Sequence, residues 1–198
     1  MTTADVVDDA AVVEQSRRHP ELFATIYDRH FAGIYRYVAS RLGPDAAEDL
    51  AAETFLAAFC DRSRFDPARG EVRPWLYGIA TNLVGTHRRT ERRRYRTLAR
   101  AAAQPAAASD EERALARVSA QVLRGRLAEV LAALPAGDRD VLLLVAVGSL
   151  SYEEVSQALS IPPGTVGSRL NRARGRVRKA FGGVNPLGDD DDTGADHG

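Results

Sequence analysis

The 198-residue sequence predicts an all-α protein made of two small helical domains. Three observations carry this. Apolar residues recur at helical spacing along most of the chain, and no run of four to eight residues shows the strict alternation of a half-buried strand. Residues 99–113, ARAAAQPAAASDEER, place Pro105 in an alanine-rich stretch with no large apolar residue, so a segment unable to bury a core face separates two that can. The same stretch also fits a surface helix broken at Pro105.

In chain order, residues 1–20 are polar and acidic and are expected as a tail. Helices are predicted near Glu21–Leu42, Asp45–Cys60 and Pro74 to about Arg96, broken by Gly43-Pro44 and by the loop Asp66-Pro67-Ala68-Arg69-Gly70. These form a first domain over 21–98, followed by a flexible linker over 99–115. Further helices near Ser119–Leu134, Gly137–Val147, Tyr152–Leu159 and Pro163–Phe181 form a second domain over 116–183. Residues 184–198, with four successive aspartates, are expected as an acidic C-terminal tail.

The formal net charge is zero, but its distribution is uneven. Asp45 to Asp61 holds five acids and no Lys or Arg, whereas Arg88 to Arg100 holds seven arginines against Glu91 alone. Val155 to Gly188 contains no acid at all. Cys60 is the only cysteine, which excludes an intrachain disulfide and a cysteine-rich zinc site. The acidic start and the short apolar run Val141–Val147 offer neither a signal peptide nor a membrane span, so a cytoplasmic protein is expected.

Ser151-Tyr152-Glu153-Glu154 has the spacing of a capping box, in which the serine side chain accepts from a first-turn amide and the glutamate reaches back to the serine N–H. A helix should start there, turn at Ser160-Ile161-Pro162, and be followed by a second helix with Pro163 at its first position. On that second helix Val166, Leu170, Ala173 and Val177 form an apolar stripe, and Thr165, Arg169, Arg172, Arg176 and Lys179 lie on another face. Two short helices with a tight turn, the second one basic, match the arrangement that places a recognition helix in the DNA major groove. Thr165, Ser168, Arg169, Asn171 and Arg172 would reach base edges. Arg176, Arg178 and Lys179 would touch phosphate.

In the first half, Leu76, Ile79, Ala80 and Leu83 form a core-facing set. Gly78, Asn82, Gly85, Arg89, Arg92 and Arg96 form a second stripe that starts small and ends cationic, with Arg93 beside it. Two helical glycines imply a close approach to the backbone, by a nucleic-acid strand or by another helix. The preceding loop joins Ser63 and Arg64 to Phe65, the pairing that holds a splayed base by stacking while neutralising its backbone. Trp75 is assigned to the core.

At this point the sequence resembles the extracytoplasmic-function sigma factors of bacterial RNA polymerase. The second half is similar to their C-terminal domain at Leu134-Pro135, Leu150-Ser151-Tyr152-Glu153-Glu154-Val155, Gly164-Thr165-Val166, Ser168-Arg169-Leu170 and Arg172-Ala173-Arg174. It departs at Gly167, where the family usually carries a basic residue. The stretch AEDLAAETFLAAF resembles the family's polymerase-binding helix, with Ala52 replacing the usual glutamine, and Arg62 to Arg94 resembles its melting segment. The resemblance spans about Glu21 to Phe181. It implies that Asp45, Glu48, Asp49 and Glu53 face the beta-prime clamp helices of core RNA polymerase and that the second domain meets the beta flap. It also implies that the loop from Ser63 to Glu71, together with Asn82, captures an unstacked base of the minus-ten element, with Arg89, Arg92, Arg93 and Arg96 alongside. The minus-thirty-five element is then read by the second domain. Promoter DNA is implied as a partner, and an anti-sigma factor as a further class.

Two other classes compete. A stand-alone helix-turn-helix regulator shares the second half but has no need of the acidic helix and the aromatic, cationic loop. An enzyme using Asp45, Glu48, Asp49 and Glu53 as metal ligands is disfavoured, because His19, His30, His87 and His197 lack ligand spacing and no phosphate-binding glycine loop is present. No cofactor, metal or catalytic residue is expected.

Overall fold

The computed structural model describes residues 8–102 and 111–182. These form nine α-helices and three short 3₁₀ turns with no strand among the described residues, so the all-α prediction holds. The expected tail over 184–198 and the centre of the expected linker, 103–110, lie outside the described residues.

Within the expected tail over 1–20, the described part, from residue 8 onward, holds a packed helix instead. Helix α1, Asp9–Gln15, is capped by Asp8, whose side chain accepts from Ala10 N, and it buries Val12 and Val13. Asp9 on its first turn lies 2.6 Å from both Arg29 Nη1 and His30 Nε2. Burial raises the Asp9 carboxyl, but the hydrogen bonds to His30 and Arg29 outweigh it and hold the group below the usual carboxylate range. Just beyond α1, Arg17 donates from Nη2 to Phe65 O at 2.8 Å, tying this segment to the loop around Phe65.

A 3₁₀ turn at Pro20–Phe23 leads into α2, Ala24–Leu42, which buries Ile26, Ile34, Tyr37, Val38 and Leu42. Gly43 at φ 102° ends it in a conformation that favours glycine, and Pro44 opens α3, Pro44–Asp61, where a missing N–H costs nothing. Helix α3 buries Ala47, Leu50, Ala51, Thr54, Phe55 and Ala58, one face at helical spacing. The helix predicted from Pro74 to about Arg96 is two helices, α4 (Val72–Thr86) and α5 (Arg88–Ala102), separated at His87. Helices α2, α3 and α4 pack on one another.

The second half comprises α6 (Glu111–Ala133), α7 (Ala136–Ala146), α8 (Tyr152–Leu159) and α9 (Pro163–Ala180). It packs on the first half along a seam made by α5 with α6 and by α4 with α8. At Gly78 of α4 the backbones come so close that a Cβ would lie 2.5 Å from the carbonyl oxygen of Ala158. Of the two readings open for this glycine, another helix is the one observed. Arg73 crosses the seam nearby, pairing with Glu154 at 2.5 Å and donating to the carbonyls of Gly148 at 2.6 Å and Ser149 at 3.0 Å.

Deeper in the seam, Arg41 of α2, Glu91 of α5, and Arg139 and Asp140 of α7 form a charge network. Arg41 bonds Glu91 at 2.7 Å and Asp140 at 2.6 Å, and Arg139 Nη2 lies 3.2 Å from the other Glu91 oxygen. Arg41, Glu91 and Arg139 are almost wholly buried. Burial opposes the Arg41 charge, but Tyr37, Asp140 and Glu91 outweigh it and push its pKa above the ordinary arginine value. Tyr95, over whose ring Arg139 lies, is pushed above the usual phenol value by burial and then by the Glu91 charge.

Candidate nucleic-acid and protein-binding surfaces

Local chemistry sets the α8–α9 unit. Ser151 Oγ accepts from Glu154 N at 3.2 Å, and Glu154 Oε2 accepts from Ser151 N at 2.7 Å, which completes the predicted capping box. Ser160 ends α8 at φ 51°, and the turn is closed by Ile161 N to Ser156 O at 3.1 Å and Ser156 Oγ to Ile161 O at 2.6 Å. Pro163 sits in the first turn of α9, where its missing N–H leaves nothing unsatisfied. The stripe Val166, Leu170, Ala173 and Val177 is fully buried against α7 and α8.

Opposite that stripe, Ser168, Asn171, Arg172, Arg176, Arg178 and Lys179 are exposed, and Thr165 and Arg169 are half-buried. Arg172 is held from behind by Asp138 of α7, which accepts from Nε at 3.3 Å and from Nη2 at 3.0 Å. This contact raises the arginine pKa. The Arg169 guanidinium lies against Gly137. At Gly167 a Cβ would meet nothing within 4 Å, so the departure from the basic residue usual in the family removes a side chain without filling its space.

The second cationic surface follows α4 into α5. Asn82 is exposed on α4, and Arg89, Arg92, Arg93 and Arg96 are exposed on α5, where with Arg100 they line one concavity. The sequence pattern thus brings these arginines together on one side. The loop behaves differently. Ser63 and Arg64 are exposed, but Phe65 is only 7% exposed, its ring 4.9 Å from that of half-buried Trp75. A cavity of about 220 Å³ beside them is lined by Arg64, Phe65, Glu71 and Trp75 and, from α8, by Gln157. Gln157 Oε1 accepts from Glu71 N at 3.4 Å. Phe65 therefore serves as a packed wall of this cavity in the structure, not as an open stacking platform.

The acidic surface lies on α3. Asp45, Glu48, Asp49 and Glu53 are all exposed, off the face that packs on α2 and α4. Leu56, 63% exposed, sits on the next turn of the same outward side. Sequence reasoning passed over it, although its place three residues after Glu53 and off the buried stripe was a readable signal. An exposed leucine among carboxylates gives a docking face an apolar contact as well as a charge pattern. The carboxylates do not gather into a cation site: among the described residues no group of three or more His, Cys, Asp or Glu is placed to hold a metal. Among the same residues no helix is long and apolar enough to cross a membrane.

Comparison with known proteins finds matches to both halves of the chain. The family model for Sigma-70 region 2 matches residues 26–94, and that for Sigma-70 region 4 matches residues 124–177. The chain is 35% identical to the probable RNA polymerase sigma-C factor of Mycobacterium bovis over 141 residues, covering 71% of this chain and 73% of that one. It is 31% identical to the ECF RNA polymerase sigma factor SigW of Bacillus subtilis over 166 residues, covering 80% and 88% respectively. Among solved structures, CnrH in complex with the cytosolic domain of CnrY superimposes with a TM-score of 0.63 at 23% identity, covering 88% of this chain and 97% of that one. The sigma factor RpoE of Bartonella quintana, solved with the anti-sigma factor NepR, superimposes with a TM-score of 0.55 at 22% identity, covering 81% and 96%. At these identities the two structures speak to the fold.

Proposed function

Since the chain belongs to the extracytoplasmic-function sigma factors, which bind core RNA polymerase and direct it to promoters, we propose which of its surfaces performs each step. Helix α3 docks on the beta-prime clamp helices through Asp45, Glu48, Asp49 and Glu53, and the second unit, 116–183, meets the beta flap. Helix α9 reads the minus-thirty-five element through Thr165, Ser168, Arg169, Asn171 and Arg172, with Arg176 and Lys179 on phosphates. In the first unit, 21–98, the loop at Ser63 and Arg64, with Phe65 as the packed wall behind them, takes up a melted base with Asn82, and Arg89, Arg92, Arg93 and Arg96 hold the strand backbone. The protein contributes no catalytic step and acts in the cytoplasm, where its polymerase is. By analogy with the RpoE complex, an anti-sigma factor is a further partner.

The observation that carries this reading is the coexistence, in one chain, of an outward acidic helix and two separate cationic surfaces. A stand-alone regulator would use α8 and α9 and leave the other two idle. The test is transcription in vitro with purified core polymerase and mapped start sites. Initiation at defined sites should need this chain, while the chain alone should bind duplex only weakly, in the non-specific range of about 10⁻⁴ to 10⁻⁶ M. Tight, sequence-specific duplex binding without polymerase would overturn the assignment.

Two variants separate the surfaces. Replacing Glu48 and Asp49 together with lysine puts like charge where opposite charge is needed, and core affinity in a titration should fall about tenfold or more while the helical spectrum stays unchanged. Both residues are exposed, so equal affinity would reduce them to solvated surface. Asn82→Ala removes an amide that offers a donor and an acceptor to a flipped base. It should cost about 1–3 kcal/mol in open-complex formation and leave closed-complex binding near normal. Full activity on both duplex and pre-melted templates would remove Asn82 from base capture.

A further inference from the structure

The grip of Asp138 on Arg172 goes beyond these assignments, though it rests on reading α9 as the promoter-reading helix. A guanidinium carries five N–H donors in a planar fork. One edge presents Nε and Nη2; the tip presents Nη1 and the second hydrogen of Nη2. Asp138 takes the edge: its two oxygens accept from Nε and Nη2 at 3.3 and 3.0 Å. The carboxylate is fixed in its turn. Asp138 is 5% exposed, lies in the first turn of α7, where the helix dipole favours an acid, and its own N–H donates to Pro135 O at 3.1 Å. The Arg172 side chain remains 55% exposed, and its bonds to Asp138 use Nε and Nη2 but not Nη1.

We propose that Asp138 is a positioning residue for promoter specificity: by holding the Nε edge of Arg172 from α7, it orients the free Nη1/Nη2 tip to take the O6 and N7 acceptors of one guanine in the upstream element. The tip fork matches that acceptor pair, the commonest specific contact of arginine in the major groove. An unheld arginine on a solvent-facing helix samples many rotamers, spends its charge on phosphate, and discriminates poorly between bases. A second bidentate contact on the far edge removes that freedom before DNA arrives. The residue that sets the base preference thus lies on a different helix from the one in the groove.

The test uses holoenzyme assembled from core polymerase and the full chain, selecting from a pool of duplex promoters randomised across the upstream element, with sequencing of the bound fraction. The wild type should enrich guanine at one position. Arg172→Lys keeps the charge but has no fork, and should lower that preference about tenfold or more with the other positions unchanged. Asp138→Asn should relax the same position and no other, and Asp138→Ser, a residue suited to helix N-termini, should repeat the effect if the asparagine variant is poorly folded. A variant at 138 that folds and keeps the wild-type preference at the position Arg172→Lys relaxes would overturn the inference, as would a base other than guanine there. Upstream enrichment of nothing at all by the wild type would instead overturn the promoter-reading role of α9.

Discussion

Glu91→Gln should lower the folding stability of the protein by about 3–5 kcal/mol, the cost of removing one partner from a buried charge network. Glu91 is 0% exposed and its two oxygens face two guanidiniums, Arg41 at 2.7 Å and Arg139 at 3.2 Å. With Asp140 the four groups sum to zero. Glutamine has the same shape, so no cavity opens; what changes is that two buried cations are left with Asp140 as the one anion. Neither arginine escapes by losing its proton. For a chain of this size the loss corresponds to a melting temperature lower by about 10 °C. Chemical denaturation monitored by helical circular dichroism measures it, with Glu129→Gln on the exposed face of α6 as the control. A loss below about 1 kcal/mol would mean that water reaches Glu91 in solution and that the seam is open there.

Gly78→Ala has the second large effect, directed at the seam and not at either half. Within α4 the change is favourable, since alanine exceeds glycine in helix propensity by about 1 kcal/mol. The three nearest atoms a new Cβ would meet all belong to Ala158 of α8, the closest at 2.5 Å, and they are backbone, which has little room to give. Overpacking of this kind costs about 1–3 kcal/mol. The first half should therefore keep or gain thermal stability while α4 and α8 separate, and small-angle scattering should show a radius of gyration larger by several ångströms, on the scale that parted domains reach. An unchanged scattering curve would show that the contact does not persist in solution.

What could be read from the sequence was what is encoded locally. The capping box at Ser151, the turn at Ser160, Pro163 and the stripe from Val166 to Val177 each lie within a few residues of the groups they organise, and the helix-turn-helix appears where they place it. Helix α1 is not legible locally because its stabilising partners are elsewhere: two valines and a capping aspartate read as an acidic tail until Arg29 and His30 are brought to Asp9. The cationic neighbours of Phe65 point to stacking, whereas its place against Trp75 depends on how the loop folds back on α4. Likewise the Asp138–Arg172 pair spans 34 positions, and the Arg41–Asp140 pair 99. No periodicity within one helix reports such pairings, and Arg41 in particular reads from the sequence as one more surface cation.

The layout of the seam charges carries one more consequence. Arg41 and Glu91 both belong to the first half, and Arg139 and Asp140 both belong to the second, so each half owns one cation and one anion. The two promoter elements, named minus-ten and minus-thirty-five, are about 25 base pairs apart, roughly 85 Å at 3.4 Å per pair. Asn82 and α9, by contrast, are separated by one intervening helix, on the order of 20 Å at ordinary helix spacings. On the roles proposed for Asn82 and α9, a chain serving both elements at once comes apart along this seam. When it does, Arg41 keeps Glu91 and Arg139 keeps its bond to Leu131 O at 2.6 Å, while Arg139 gives up Glu91 and Asp140 gives up Arg41 for water. Parting the join thus exchanges two cross-seam ion pairs for water, and each face, with one cation and one anion of this network, is left with no net charge from it.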